Sequence, residues 1–347
     1  MQIIDLRSDT VTQPTAEMRE AMANAVVGDD VYGEDPTILE LERAAAGEMG
    51  KAAGLFVTSG TMGNLLAVLA TCQRGDEVIM GRLGHTFLYE CGGISALGGV
   101  QPHPITERQD GTLPVEDVRR AIRVEDVHEP VTRMVIVENT QNRCGGQVLG
   151  MDYLRAVGEL THQHGLALHI DGARIYNAAA ALNLPAAELA GPADSVTFCL
   201  SKGLCAPVGS VLCGSQAFIQ RARKYRKMLG GGMRQAGVLA AAGLVALRSM
   251  TVRLGEDHRR AAQLAGALAA LPGVRLPLGN PPTNMVYVEL DGGRGVGLDA
   301  FIERLKQRGV LAGDGGDGLL RLVLHHGIDD QDVAHTVAAF GEALAAH

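Results

Sequence analysis

The sequence predicts a three-layer α/β fold built on a mainly parallel sheet, followed by a smaller C-terminal α+β domain. Three observations carry this. Two apolar strand-like runs, Leu166–Ile170 and Ser195–Leu200, are joined by an Ala-rich helical segment, the pattern of a parallel βαβ unit. A strand at Met134–Val137 and a helix at Met151–His164, with Leu154, Val157 and Leu160 on one face and Gly165 as its C-cap, extend the alternation upstream. After Lys202 the alternation fades into long helices and short strands. The division is drawn near residue 250: a large domain over 1–250, N-terminal segment included, and a small one over 251–347.

The other elements follow from period and punctuation. Pro14 leads into a helix from Ala16 to Ala25 with Met18 and Met22 at helical spacing, and a second helix covers Ile38–Met49. Leu55–Val57 reads as a strand, Thr58–Gly63 as a turn and Asn64–Cys72 as a helix. A small-residue loop at a helix start exposes backbone N–H groups where the helix dipole is positive, so this turn is a candidate phosphate cradle or a plain N-cap. Glu77–Met80 reads as a strand, followed by a loop holding His85, and Pro114–Arg123 as a helix before a charged loop with His128. Beyond Lys202 come a strand at Val208–Gly214, a basic helix at Gln216–Met228 and a long helical region from Met233 to Ala270. The small domain takes strands at Met285–Leu290 and Leu319–Leu324, helices at Leu298–Arg308 and Asp330–Ala346, and a hairpin or loop at Gly313–Gly318.

Composition narrows the function. Net charge is −8, with no basic patch, which argues against a nucleic-acid partner. Asp5 and Arg7 interrupt the first apolar run, and no apolar stretch reaches eighteen residues, so neither a signal peptide nor a membrane span is expected and the cytoplasm is the expected compartment. The six cysteines form no CxxC pair and no zinc-type spacing, so reduced, mostly buried thiols and no metal site are expected.

The strand ends carry the chemistry. The first run of the βαβ unit passes into Asp171, with Arg174 three residues on, and the second delivers Ser201 and Lys202. Ligands of open α/β sheets bind at the carboxyl ends of the strands. A phosphate cradle, an aspartate and a lysine in that order are what pyridoxal phosphate (PLP) requires: N–H donors for its phosphate, a carboxylate for its pyridine nitrogen and an amine for its aldehyde.

The chain resembles the low-specificity L-threonine aldolases, PLP enzymes of the aspartate aminotransferase fold type I, over nearly its whole length. The resemblance is carried by IDLRSDTVTQPT, GDDVYGEDPT, TSGTMGN, HTFLYECGG, VENTQN, HIDGARIYNAA, SKGLCAPVGS and MLGGGMRQAG, in the family's order. Gln141, where histidine is common, and Cys144, in a usually glycine-rich turn, depart from its pattern. The resemblance implies retro-aldol cleavage of L-threonine or L-allo-threonine, and related β-hydroxy-α-amino acids, to glycine and an aldehyde. The alternatives are another fold-type I PLP lyase, a phenylserine aldolase, or a non-catalytic protein on the PLP fold.

The same resemblance assigns residues. Lys202 is implied as the Schiff-base lysine and Asp171 as the partner of the pyridinium nitrogen. Gly60 and Thr61 would serve the phosphate, and His85 would stack on the ring. Arg174 would contact the cofactor or the substrate carboxylate, Arg321 would grip that carboxylate with Ser8 as a second contact, and Tyr89 would stand near the β-carbon. His85, His128 or a water is left as the base. A homotetramer of dimers with shared sites is implied, in which Asp30, Tyr32, Lys227 and Arg234 reach a neighbour's cofactor and substrate.

Overall fold

The computed structural model describes residues 3–291 and 297–345. A two-residue strand, β1 (Ile4–Asp5), opens the chain. The main sheet takes β2 (Ala53–Val57), β3 (Glu77–Gly81), β4 (Gln101–Ile105), β5 (Thr132–Glu138), β6 (Ala167–Asp171), β7 (Ser195–Cys199) and β8 (Ser210–Gly214) in the order β2-β8-β7-β6-β5-β3-β4. Every pairing is parallel except those of β8, which runs antiparallel to β2 and to β7.

Strand residues alternate between two apolar layers. Leu55 and Val57 pack with Leu66 and Phe218, whereas Phe56 between them joins the larger cluster with Leu41, Leu154 and Ile175. On β5, Met134 and Ile136 face one side and Val135 and Val137 the other. Both faces are thereby covered, which gives the three layers and explains the unbroken apolar runs of the central strands.

The remaining strands are β9 (Val274–Arg275), β10 (Met285–Leu290), β11 (Val310–Leu311), β12 (Gly313–Gly316) and β13 (Leu319–Val323). They form a smaller antiparallel sheet, β12-β13-β10-β9, and a parallel β1-β11 pair. The hairpin expected at 313–318 is the β12-β13 connection. Ile4 and Leu6 pack in this second cluster with Val286, Phe301 and Phe340, although the sequence assigned the N-terminal segment to the large domain. The reason is β1: its partner in the sheet is Val310–Leu311.

Several elements differ from the sequence reading. The helix expected from Asn64 starts at Gly60, because Ser59 caps it with Oγ accepting from the Met62 N–H. The single helix expected between Asp171 and Lys202 is two, Ile175–Leu182 and Ala186–Ala190, broken where Asn183 turns left-handed (φ 52°) ahead of Pro185. His85 lies in a one-turn helix, His85–Leu88, rather than a loop. The strand β4 was not expected, its pattern being hidden by Pro102 and Pro104. The last helix is described over Asp330–Ala345, and the expected Ala346 lies outside the described residues. The run Gly237–Ala269 forms one helix, long and apolar enough to cross a membrane by length and composition, and 61% of its most apolar stretch is buried inside the fold.

Candidate active site

The carboxyl ends of β5, β6 and β7 converge at one place. Register pairs Glu138 with Asp171, and Asp171 with Thr197. Asp171 is buried, its Oδ2 accepting from Asn64 Nδ2 at 2.8 Å and its Oδ1 from the Ala173 N–H at 3.2 Å. Asn64 is a buried polar residue among the apolar buried residues of its helix, and its Oδ1 meets His169 Nε2 at 3.1 Å. Burial pushes the His169 imidazole down to about 4, so it stays neutral at physiological pH.

His85 Nδ1 lies 2.9 Å from Glu90 Oε1, and Glu90 also accepts from Asn64 Nδ2 at 2.9 Å. The hydrogen bond to Glu90 raises the His85 pKa above its usual value, while burial raises that of Glu90. With Nδ1 committed to Glu90, the imidazole presents Nε2 to the cavity. Tyr89 stacks obliquely on it, ring centres 5.6 Å apart.

Arg174 donates through Nε and Nη2 to Asp9, at 2.7 and 2.6 Å, and both are buried. Burial opposes the Asp9 charge, yet Arg174 beside it holds its carboxyl down at about 2. Thr12 Oγ1 donates to the carbonyls of Asp9 and Lys202, so the N-terminal turn sits against the lysine. Arg321 on β13 donates to Asn142 Oδ1 (3.1 Å) and to the Arg7 carbonyl (3.0 Å), while its buried Nε makes no hydrogen bond.

A cavity of about 320 Å³ joins these groups; its wall includes Ser8, His85, Tyr89, Arg174, Lys202 and Arg321. The structure therefore gathers in one cavity wall, from five stretches of sequence, six of the residues expected at the site. Ser8 spends its Oγ as the cap of the Asp9–Val11 turn, accepting from Thr10 at 3.3 Å.

His128 is not brought to the site within this chain. Its side chain is 85% exposed and paired with Asp126 at 2.8 Å. It precedes β5, whereas the site lies past the far end of that seven-residue strand, roughly 20 Å away at strand rise. Tyr32 (76% exposed) and Arg234, bonded to Asp29, do not line the cavity either.

The donor set fits PLP. A buried carboxylate at one strand end and a lysine just past the next suit the ring nitrogen and the aldehyde. In the helix Gly60–Thr71, the cap leaves the N–H groups of Gly60 and Thr61 without partners inside the helix. That helix must also approach β7 closely, since a Cβ on Gly63 would come within 2.5 Å of Thr197 Cγ2.

Residues 5–291 match the beta-eliminating lyase family. The chain belongs to this family. The low-specificity L-threonine aldolase 1 of Arabidopsis thaliana is 47% identical over 347 residues, covering 99% of this chain and 97% of that protein. The low specificity L-threonine aldolase of Escherichia coli (strain K12) is 44% identical over 343 residues, covering 99% and 100%. Within the beta-eliminating lyases the chain thus groups with the low-specificity L-threonine aldolases. Its fold matches the threonine aldolase structure of Leishmania major with a TM-score of 0.82 at 22% identity, covering 98% of this chain and 99% of that one.

Glu138, Glu90, Asn64, Asp9 and Asn142 are site residues that sequence reasoning passed over. Two left a signal: Asn64 interrupts an apolar helical run, and Glu90 follows His85 by five residues inside HTFLYECGG.

Proposed function

We propose that the protein is a PLP-dependent aldolase that cleaves L-threonine and L-allo-threonine to glycine and acetaldehyde. The observation that carries this is the shared cavity, whose wall brings together Lys202, His85 and three arginines, Arg143, Arg174 and Arg321. Lys202 would hold the cofactor's aldehyde carbon, Asp171 its ring nitrogen, and the Gly60 and Thr61 N–H groups its phosphate. Bound there, the cofactor supplies an electron sink for the bond being broken.

The chain's own residues do the rest. Arg321 binds the α-carboxylate, its planar guanidinium being suited to two carboxylate oxygens, with Ser8 beside it. That grip fixes which bond at Cα is aligned for breaking. His85, with Nδ1–H donated to Glu90, accepts the β-hydroxyl proton at Nε2; Cα–Cβ cleavage then releases acetaldehyde, and a proton returned to Cα completes glycine. Arg174, locked to Asp9, presents a fixed positive charge next to Lys202.

The homotetramer with shared sites is part of the same reading. It is supported by the exposed Val26, Val31 and Tyr32, of which Val31 lines a groove with the basic Arg223, Lys224 and Lys227. Tyr32, Lys227 and Arg234 then act in a neighbour's site, as the resemblance implies, whereas Asp30, implied with them, is buried and paired with Arg226 at 2.6 Å within its own chain. A cytoplasmic location accompanies this reading on composition alone.

Steady-state assays with both threonine isomers test the activity. Acetaldehyde and glycine in equal amounts are expected, and their absence from both isomers would overturn it.

A further inference from the structure

The site is built from two sides that are far apart in sequence, and one side chain touches both. Glu138 closes β5 beside Asp171. Its Oε2 accepts from the His85 backbone N–H at 2.7 Å and its Oε1 from the Asn142 N–H at 3.0 Å. Asn142 in turn accepts from Arg321 at Oδ1 (3.1 Å) and from the Tyr287 hydroxyl at its carbonyl (2.9 Å). Tyr287 and Arg321 are cross-strand partners on β10 and β13. The turn that carries His85 lies in ordinary contact with this carboxylate: a Cβ on Gly84 would stand 3.8 Å from Glu138 Oε2.

We infer that Glu138 is a positioning residue whose carboxylate ties the His85 turn to the Asn142–Arg321 arm. It thereby sets the spacing between the group that takes the substrate's proton and the group that grips its carboxylate. Both ties go to backbone N–H groups, and two such donors need two acceptor oxygens on one side chain. Asp171 from β6, His85 from its turn, Arg174 past β6 and Glu107 across the small cavity behind His85 are the charged groups around it. Burial, with the Asp171 charge adding to it, pushes the Glu138 carboxyl up to about 7. The tie is complete when the group is ionised and loosens as pH falls below that, because a protonated oxygen is a poorer acceptor.

The inference rests on the roles proposed for His85 and Arg321, so its test reads more than turnover. In PLP-loaded protein, Glu138→Ala should speed amide exchange in the segments around residues 85 and 142 by about tenfold or more. Glu138→Gln keeps the shape and one acceptor oxygen, so it should deprotect one of the two segments. It carries the test should the alanine variant fail to fold. Glycine affinity, followed by the visible spectrum, should weaken about tenfold in Glu138→Ala and in Asn142→Ala, and the double variant should lose less than the product of the two. Unchanged exchange in both segments, or fully multiplicative losses, would overturn the inference. Exchange that responds as expected in a protein that cleaves neither threonine isomer would leave the tie standing and remove the aldolase reading.

Discussion

Asp9 and Arg174 form a two-armed ion pair at 2.6 and 2.7 Å in which Asp9 is fully buried and the Arg174 side chain nearly so. Asp9 comes from the N-terminal turn and Arg174 from the end of β6, so the pair fastens the first dozen residues to the floor of the site. Its charge state has a cost that can be measured. The Asp9 carboxyl titrates at about 2 in the fold against 3.8 when free. The stability it contributes is therefore complete above pH ~4 and lost as pH falls towards 2, an amount of about 2 kcal/mol. Asp9→Asn should flatten that acid limb in urea unfolding. It should also lower stability at neutral pH by about 3 kcal/mol or more, since the Arg174 charge is left buried and alone.

Lys202→Ala is expected to abolish the visible absorption band of the purified, PLP-loaded protein. The fold should be retained, because the backbone carbonyl of Lys202, which accepts from Thr12 Oγ1 and the Cys205 N–H, is untouched by the substitution. A variant that keeps the wild-type band would show that another amine holds the aldehyde.

Arg321→Lys keeps the charge but loses the fork. The KM for L-threonine should rise by about tenfold or more, with the visible spectrum of the resting protein unchanged. An unaltered KM would place the carboxylate elsewhere in the cavity.

The pH profile reports on His85. As a base it must be neutral, and the hydrogen bond to Glu90 raises its pKa above 6.5. The acid limb of kcat/KM should accordingly lie above that value, and Glu90→Gln should move it to lower pH. A limb that stays put in Glu90→Gln would detach it from this imidazole.

What the sequence disclosed depended on where each residue lay along a strand. Asp171 and Lys202 were legible because both sit where apolar runs stop, and a parallel sheet collects such ends on one side. His128 shows the limit of that logic. The sequence shows it in a charged loop before a strand, but only the extent of β5 shows that it stands at the amino end of that strand, on the opposite side from the site. Asp9, Glu138 and Asn142 were passed over for a different reason. Their partners are 165, 53 and 179 residues away, and no local pattern encodes such contacts. The pairing of the N-terminal segment with β11 is of the same kind, crossing almost the full length of the chain.

The two prolines of β4 matter for how this molecule meets others. The strand lies at the border of the main sheet, and its Gln101 N–H points inward to the Asp76 carbonyl. By alternation, Pro102 and Pro104 occupy the positions whose donors would face outward, and they have none to offer. A strand arriving at that border finds carbonyl oxygens without N–H groups between them and cannot register against it. The sheet is closed to growth on that flank, so aggregation by strand addition is blocked there and assembly is directed to the helical faces.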